Sequence, residues 1–438
     1  MQIKALKFGG SSLADAEQFK KVASIVKAED SRRYVVVSAP GKRFDGDTKI
    51  TDMLYEAYAI ADAGDDATEI FGKIRERFEA IISGLALDLD LSKDFDKIFN
   101  AFQHHPGRDY AASRGEYLNA KIFAAYIGYD FIDAAKYIFF KDNGTFDAEK
   151  TNEVLSEVLA SHERAVLPGF YGSMPNGTVK TFSRGGSDIT GSIVARAVKA
   201  DLYENWTDVS GFLMADPRLV KNPKPIDEIT YRELRELSYM GAGVLHEDAI
   251  FPVRAAGISI NIKNTNRPED KGTMIVPHSE YYNYETVITG IAGKKGLSVI
   301  NIEKDMMNSE IGFGRKVLEV LEQHNVSFEH LPSGIDTMGI VVSDAELGDK
   351  TDAIIKDITK TVSPDHIAVE DGLALIAVVG RGMISAKGTA GRVFRAIAAK
   401  GVNIRMIDQG SSEINIIIGV DETDYVRAIE AIYEEFVK

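Results

Sequence analysis

Residues 182–200 read FSRGGSDITGSIVARAVKA, in which the end of a strand is followed by a glycine pair and then by an amphipathic helix. Ser187 and Asp188 mark the start of that helix. Free backbone N–H groups at a helix start attract anions. Arg184 adds a planar fork suited to a carboxylate, and Asp188 adds an acceptor suited to an ammonium group. The stretch therefore predicts a site for an amino acid. The alternative is that Asp188 only caps the helix and Arg184 is a surface residue.

A second strand, glycine pair and helix open the chain in MQIKALKFGGSSLAD, residues 1–15. Gly9 and Gly10 would let the backbone approach a phosphate group, and Lys7 would supply a positive charge. The alternative is a β-turn with a solvated lysine. The chain has no GxxxxGK[ST] motif, and the GRG at 380–382 lacks the later glycine of a dinucleotide fingerprint. Phosphate recognition must then come from dispersed glycine turns and lysines.

The composition excludes several classes of function. The chain of 438 residues is long enough for two or three domains, and its formal net charge of −15 argues against a general nucleic-acid binder. There is no cysteine, which removes disulfides, thiolate zinc sites and cysteine nucleophiles. The histidines show no metal-ligand spacing, so no protein-bound transition metal is expected. The N-terminus lacks a signal pattern and the apolar runs are too short to span a bilayer, which predicts a soluble, cytoplasmic protein with no membrane partner.

Three regions follow one another along the chain. Residues 1–290 alternate strand-like runs with helical segments, the pattern of an α/β fold with a mostly parallel sheet. Residues 52–160, roughly, interrupt this alternation with apolar positions three and four apart, which predicts amphipathic helices packed on the sheet domain.

The tail is a tandem repeat. A shift of 76 residues superposes the sequence on itself, so that Gly296 falls on Gly372 and Met307 on Met383. Each copy, 296–370 and 371–438, reads as a small ferredoxin-like βαββαβ unit. A tandem of two such units is expected to pair side by side and bury sheet edges or helices. The alternative is a pair of passive dimerisation modules.

Six blocks resemble the aspartate kinases, in that family's order: KFGGSSLAD, VVVSAP followed by ITD, SRGEYLNAKI, FSRGGSDITG, WTDVSGFLMADPR, and MGAGVLHEDAIFPV followed by IKNT. The tail repeats resemble the two ACT regulatory domains of these enzymes. The resemblance covers essentially the whole chain. It implies an amino-acid-kinase-like, mostly parallel sheet with helices on both faces, followed by two ACT units, and it favours the monofunctional, lysine-sensitive type.

The resemblance implies three groups of site residues. The phosphate-holding turn corresponds to Lys7, Phe8, Gly9 and Gly10. The aspartate site corresponds to Ser38, Thr51, Glu116, Arg184, Gly185, Gly186, Ser187 and Asp188. The nucleotide site corresponds to Thr207, Asp208, Leu213, Arg218, Lys263 and Asn264. Lys7, Asp188 and Lys263 are expected to be catalytic. Without the resemblance, Glu116 would pass for a solvated acid, Thr207 and Asp208 for a strand-end turn, and Arg218 and Lys263 for surface charges.

The implied reaction transfers the γ-phosphoryl group of ATP, bound with Mg²⁺, to the side-chain carboxylate of L-aspartate. The products would be ADP and 4-phospho-L-aspartate, the first intermediate toward lysine, threonine and methionine. A carboxylate is a nucleophile at neutral pH, so no general base is expected. Two stretches depart from the family: the loop 39–49 is longer, and Phe212, Leu213 and Met214 stand where threonine and tyrosine are common.

The stretch MNSEIGFGRKVLEV, residues 307–320, resembles the effector loop of an ACT domain. The predicted effector contacts are Met307, Ser309, Gly312, Phe313, Gly314, Phe328 and Glu329. Glu329 would face a cationic group, which favours L-lysine over L-threonine, in a homo-oligomer formed through the ACT domains. The alternative is a packing loop with Met307 and Phe313 in the core. Two competing functions remain: a related kinase acting on N-acetylglutamate or a nucleotide, and a catalytically silent amino-acid sensor.

Overall fold

The computed structural model describes residues 2–183, 185–243, 245, 247–279 and 287–437, without the side chains of Glu247 and Asp248. The chain forms two compact units. The first comprises Met1–Phe212, Pro225–Tyr231 and Gly243–Ser279, and the second comprises Leu213–Lys224, Arg232–Ala242 and Glu280–Lys438. The predicted boundary at residue 290 is therefore simpler than the observed division, since two short segments from within 1–290 belong to the second unit.

The first unit is built on an eight-stranded sheet with the order β3-β4-β2-β1-β7-β9-β10-β8. Its strands are β1 (Lys4–Phe8), β2 (Arg32–Val37), β3 (Asp130–Phe131), β4 (Ala165–Pro168), β7 (Leu202–Thr207), β8 (Glu228–Thr230), β9 (Ser259–Asn264) and β10 (Thr273–Val276). A separate antiparallel pair is formed by β5 (Tyr171–Ser173) and β6 (Val179–Thr181). All pairings in the large sheet are parallel except that between β9 and β10. The predicted α/β class with a mostly parallel sheet is confirmed.

Helices surround this sheet. They are α1 (Ala16–Lys27), α2 (Ile50–Asp62), α3 (Thr68–Gly84), α4 (Ser92–Phe102), α5 (Arg108–Ile127), α6 (Ala148–Ala160), α7 (Gly186–Ala197) and α9 (Glu247–Ala255), with short 3₁₀ turns at Gly10–Leu13 and Ala134–Lys136. Helix α8 (Tyr231–Tyr239) begins in the first unit and continues in the second. Helices α2 to α6 account for the predicted insert.

The core of the first unit explains why these segments form helices. Apolar residues spaced three or four apart on α3, such as Phe71, Ile74 and Phe78, are buried in one cluster with residues of α1, β1 and β2. Helix α5 differs, because it is buried on several sides and carries polar side chains into the interior. Because a buried polar group is costly unless it has a partner or a function, the polar side chains of α5 are candidates for a functional site.

The second unit contains a five-stranded antiparallel sheet with the order β12-β11-β13-β15-β14. The strands are β11 (Gly290–Glu303), β12 (Thr337–Ser343), β13 (His366–Val379), β14 (Ile404–Asp408) and β15 (Asn415–Asp421). The helices are α10 (Phe313–Gln323), α11 (Asp344–Leu347), α12 (Thr351–Val362), α13 (Thr389–Ala399) and α14 (Tyr425–Val437), with 3₁₀ turns at Met307–Ser309, Arg381–Ile384 and Glu422–Asp424.

The two repeats share this one sheet. Residues 290–294 of β11 pair with 375–379 of β13, and residues 297–303 of β11 pair with 366–373 of the same strand. Each long strand therefore serves both repeats, and the predicted boundary between residues 370 and 371 falls inside β13. This agrees with the expected side-by-side arrangement, since the pairing of β11 with β13 leaves no sheet edge between the repeats.

None of the helices among the described residues combines the length and the apolar character needed to cross a lipid bilayer.

Candidate active site

Lys7 and Asp188 meet where the two glycine turns of the first unit come together. The Lys7 ammonium lies 2.6 Å from Oδ1 of Asp188, which also accepts a hydrogen bond from Asn205 Nδ2 at 2.8 Å. The pairing of β1 with β7 places Lys7 beside Asn205. Asp188 lies in the first turn of α7. The structure thus joins two segments that are 181 residues apart in sequence, as expected if both form one site. The arrangement presents a positive charge held in place by a carboxylate.

The turn after β1 supplies backbone groups rather than side chains. The Phe8 ring is fully buried and stacks on Trp206 at 5.8 Å, so its side chain belongs to the core. The Gly9 N–H donates to the Trp206 carbonyl at 3.1 Å, and a 3₁₀ turn starts at Gly10. Of the four residues predicted to hold phosphate here, Lys7 offers a charged side chain and the other three offer backbone.

Helix α7 begins one residue earlier than the sequence indicated. Gly185 precedes it with a φ of 63°, in the left-handed region that favours glycine, and Gly186 is the first helical residue. Ser187 is buried, and Asp188 sits in the first turn without capping the helix through its side chain. The alternative reading of Asp188 as a helix cap is therefore wrong. Arg184 lies outside the described residues.

A buried carboxylate lies beside the end of β2. Ser38 and Ala39 follow this strand, and α5 packs against them: Asn119 Nδ2 donates to the Ser38 carbonyl at 2.7 Å. Burial raises the pKa of Glu116 to about 8, although a backbone hydrogen bond from Ala39 partly opposes this. One Glu116 carboxylate oxygen has no hydrogen-bond partner among the described residues. A carboxylate in this position calls for a positively charged ligand, which fits the predicted contact with an amino acid's ammonium group better than the alternative of a solvated acid.

Thr51 is the second residue of α2 and is half-buried. The loop 38–49 joins the end of β2 to the start of α2. The two predicted aspartate ligands, Ser38 and Thr51, therefore lie at the two ends of one loop.

Lys263 lies on the other face of the sheet from Lys7. In the parallel register, Asn205 pairs with Lys7 on one side of β7, and Trp206 pairs with Lys263 on the other side. Neighbours in register point to the same face and successive residues point to opposite faces. The Lys263 ammonium accordingly lies 5.3 Å from the centre of the Trp206 ring, and burial lowers its pKa. The structure therefore places the Lys263 ammonium at the Trp206 ring rather than beside the Lys7–Asp188 pair, and the expected catalytic role of Lys263 stays a prediction.

The ends of β7 and β9 form a polar corner. The Thr207 carbonyl accepts from Thr265 N at 2.9 Å, and the Thr207 hydroxyl donates to Asp208 at 3.2 Å. Asn264 is buried and donates to Ser210 at 3.0 Å. Asp208 is exposed. Three of the predicted nucleotide residues, Thr207, Asp208 and Asn264, thus lie together at adjacent strand ends, where ligands of parallel α/β sheets bind.

Leu213 and Arg218 belong to the segment Leu213–Lys224 of the second unit. The Arg218 side chain is exposed and forms a two-pronged ion pair with Asp216, its nearer contact being 2.6 Å. Their predicted contact with a nucleotide stays a prediction.

The predicted effector residues divide into core and surface. Met307 and Phe313 are buried in the core cluster of the first repeat, as the packing alternative proposed. Gly312 immediately precedes α10 with a φ of 80°, and Gly314 is the second residue of the helix. Ser309 and Phe328 are exposed.

Glu329 already has a cation beside it within the same unit. The Lys294 ammonium lies 2.6 Å from its carboxylate and 4.4 Å from the centre of the Tyr239 ring. Although burial favours the protonated acid, hydrogen bonds from Lys294 and Tyr239 lower the pKa of Glu329. The expected cationic partner of Glu329 is thus supplied by the chain itself.

Sequence reasoning missed several buried polar residues around the site. Asn205 and Asn119 hold Asp188 and Ser38, and the hydroxyls of Ser12 and Thr265 lie 2.8 Å apart, joining the first glycine turn to the end of β9. The available signal for Asn205 was its place immediately before the WTDVSGFLMADPR block. Asn119 was visible only as a polar residue one turn beyond Glu116 on the same helix face.

Comparisons with known proteins identify the family of the chain. The amino acid kinase family model matches residues 2–264, and an ACT domain model matches residues 376–436. Aspartokinase 3 of Bacillus subtilis is 42% identical over 450 residues, covering 99% of this chain and 98% of the relative. The crystal structure of Clostridium acetobutylicum aspartate kinase is 53% identical, with a TM-score of 0.92 and full coverage of both chains. That of E. coli aspartokinase III with aspartate and ADP is 25% identical, with a TM-score of 0.77 and full coverage of both chains.

A parallel α/β unit with two glycine turns, followed by paired ferredoxin-like repeats, defines an ATP-dependent kinase with attached ACT domains. The chain belongs to the amino acid kinase family, and within that family to the aspartokinases.

Proposed function

We propose that the chain transfers the γ-phosphoryl group of ATP to the side-chain carboxylate of L-aspartate, giving 4-phospho-L-aspartate and ADP. The observation that carries this proposal is the contact of 2.6 Å between Lys7 and Asp188, because it joins the two glycine turns that would hold the two anions. Relatives of the chain are named aspartokinases, and one was crystallised with aspartate and ADP.

The chemistry follows from charge. Both reactants are anions, so catalysis consists of aligning them and neutralising the charge that shifts during transfer. Lys7 supplies the positive charge, and Asp188 and Asn205 fix its direction. The aspartate carboxylate attacks the γ-phosphorus and the bond to the β-bridging oxygen breaks, so ADP leaves with the electron pair and no proton is moved.

Mg²⁺ enters this proposal as part of the nucleotide substrate. Among the described residues, no group of three or more histidine, aspartate or glutamate side chains is arranged to hold a metal ion. The phosphates of ATP are therefore its expected ligands.

Glu116 is the proposed acceptor for the substrate's ammonium group, with Ser38 and Thr51 as neighbouring ligands. A buried carboxylate oxygen without a partner gains most from a charged donor. Arg184 is proposed to bind a substrate carboxylate, as its place in the RGGSD motif implies. Asp188, whose Oδ1 is already bonded to Lys7 and Asn205, is assigned to orienting Lys7 rather than to the ammonium.

A coupled ADP-release assay tests the proposal directly. We expect ADP to form with L-aspartate, and neither with N-acetylglutamate nor in the absence of an acceptor. ADP formation with N-acetylglutamate would favour another kinase of the family, and no ADP with any acceptor would favour a silent amino-acid sensor. Cytoplasmic location stays a prediction.

We further propose that an end-product amino acid, L-lysine rather than L-threonine, binds the first ACT repeat and inhibits the enzyme. Support comes from Glu329, a partly buried carboxylate that forms an ion pair with Lys294 in the second unit. Since Lys294 already neutralises this carboxylate, the side-chain ammonium of the effector must displace Lys294. The effector would then separate Glu329 from its neighbours Lys294 and Tyr239.

Replacing Lys294 with methionine should therefore strengthen inhibition. With the internal competitor gone, we expect the lysine concentration for half-maximal inhibition to fall about tenfold, while activity without lysine stays unchanged. Lys295→Met is the matched control, because Lys295 is exposed and lies over Tyr425 instead. Unchanged or weaker inhibition in Lys294→Met would mean that Glu329 does not receive the effector.

Homo-oligomerisation through the ACT repeats is the last part of the proposal. Ile311, Met306 and Ile335 are 98%, 71% and 69% exposed, and a hydrogen bond from Asn308 N to the Ile335 carbonyl holds their loops together. An apolar patch of this kind fits a second copy of the chain. We expect Ile311→Glu to lower the mass measured by light scattering to that of the monomer, with Val426→Glu as an exposed apolar control. An unchanged mass would exclude this patch from the interface.

A further inference from the structure

The loop 38–49 connects β2 to α2 and carries Ser38 at its start, three residues before Gly41, with Thr51 just beyond its end. This is the loop that is longer than in the compact family version. A long surface loop does not by itself fix the distance between its ends. Two proposed aspartate ligands at its ends therefore need something that bridges them.

Arg77 bridges this loop from α3. Its side chain is buried, Nη2 donates to the Gly41 carbonyl at 2.9 Å, and Nη1 donates to the Thr48 carbonyl at 3.1 Å. Nη1 also lies 3.2 Å from the carboxylate of Asp47. One planar guanidinium thus holds two backbone carbonyls near opposite ends of the loop, together with a carboxylate between them. A guanidinium fork suits this task because its donors have a fixed geometry.

Asp47 is a second fixed point of the same arrangement. Its carboxylate accepts two hydrogen bonds of 2.9 Å from the guanidinium of Arg43 and one from the Arg43 backbone. Hydrogen bonds from Arg43, reinforced by the charge of Arg77, hold the pKa of Asp47 well below its usual range. The carboxylate is therefore ionised wherever the enzyme would be assayed, and its attraction for Arg77 is constant.

The base of the loop rests directly on the first glycine turn. Gly41 N donates to the Gly10 carbonyl at 2.8 Å, and a Cβ added at Gly41 would lie 2.6 Å from the carbonyl carbon of Gly10. No side chain fits at Gly41 without moving backbone. Arg77 holds the carbonyl of the same residue, so Gly41 is fixed both to α3 and to the turn that follows Lys7.

We infer that Arg77 is a positioning residue for the aspartate site: it sets the separation of Ser38 from Thr51 and seats the loop on the phosphate turn. The inference rests on the proposed aspartate site. Arg77 itself need not touch substrate. A buried arginine is costly unless its hydrogen bonds are used, and here its bonds go to the loop rather than to a partner on its own helix.

Steady-state kinetics of Arg77→Met and Arg77→Lys test this role. We expect Arg77→Met to raise the KM for aspartate about tenfold, because the ends of the loop carry aspartate ligands. The KM for ATP should change about twofold or less, because the phosphate turn stays bonded to β7 through Gly9 N and the Trp206 carbonyl. Arg77→Lys should recover part of the loss, since one ammonium can hold only one of the two carbonyls. Thermal melting of each variant shows whether it is folded. A general loss of structure would change both KM values, whereas loss of positioning changes the one for aspartate.

Arg75→Met is the matched control, because Arg75 lies on the same helix but pairs with Glu79 of that helix. Its kinetics should equal those of the wild type. If Arg77→Met does not fold, Asp47→Asn and Arg77→Lys decide: an aspartate KM within about twofold of wild type in both overturns the inference. Ser38→Ala and Thr51→Val separate the two proposals. If neither raises the aspartate KM, the proposed aspartate site is wrong and the role of Arg77 falls with it. If Ser38→Ala or Thr51→Val raises the aspartate KM while the Arg77 variants leave it unchanged, only the proposed role of Arg77 is wrong.

Discussion

Replacing Lys7 by alanine is expected to lower kcat by about two to three orders of magnitude, while the KM for aspartate changes about threefold or less. The proposed site neutralises two converging anions, and Lys7 is its charged group at the phosphate turn. Charge that develops on the transferred phosphoryl group is felt most in the transition state, so its loss appears in kcat. Initial rates of ADP formation at saturating ATP and aspartate give kcat for each variant.

Lys20→Ala provides a control for this prediction, because Lys20 is a surface residue of α1 that pairs with Glu17. Its kcat should equal that of the wild type. Asn205→Ala separates charge from orientation: it keeps the Lys7 ammonium but removes one of the groups that hold Asp188. We expect it to lower kcat about tenfold, less than the loss of Lys7 itself. A near-normal kcat in Lys7→Ala would contradict the catalytic role.

The fold of the first unit was largely predictable because its signals are local. Short strand-like runs that end at turn residues predict β1 (KALKF, followed by glycine) and β2 (RRYVVV, followed by Ser-Ala-Pro), and period-3.6 patterns predict the helices α2 to α6. The tandem repeat was predictable from self-similarity. The shared sheet was not, because β11 pairs with β13 between residues that are 63 (Glu303 and His366) to 89 (Gly290 and Val379) positions apart, and periodicity does not identify a strand's partner.

The sequence predicted the placement of side chains well where residue type and backbone motif coincide, and poorly where sheet geometry decides. Lys7 and Asp188 stand in glycine turns, and the structure joins them. Lys263 also stands at a strand end, but the register of β9 with β7 turns it toward Trp206. Register shifts by one residue reverse the face of every side chain, and the sequence does not fix it. Asn119 lies within the SRGEYLNAKI block, but its contact with the Ser38 carbonyl appears only when α5 packs on the end of β2.

Aspartate binding should depend on pH through Glu116. Burial raises the pKa of this carboxyl from 4.5 to about 8 in the unliganded protein. The ammonium of aspartate requires the ionised form, so below about pH 8 binding must first remove a proton. We expect the KM for aspartate to fall up to about tenfold per pH unit as the pH rises toward 8, and to level off above it. Glu116→Gln should raise this KM about 10- to 100-fold and abolish its slope.

The folding stability of the unliganded protein gives an independent test of Glu116, because it should fall with rising pH whereas aspartate binding should strengthen. The pKa of Glu116 is higher in the folded protein than in the unfolded chain, so between pH 4.5 and about 8 the folded protein binds more protons than the unfolded chain. The stability of the unliganded protein therefore falls as the pH rises through that window. Glu116→Gln removes the buried charge, so the unliganded variant should melt at a higher temperature than the wild type at pH 8.5 and at a similar temperature near pH 5. Glu69→Gln is a suitable control, since Glu69 is exposed and pairs only with Lys73 among its described contacts. A wild-type melting temperature in Glu116→Gln at pH 8.5, together with an unchanged aspartate KM, would show that Glu116 is neither a buried charge nor a substrate ligand.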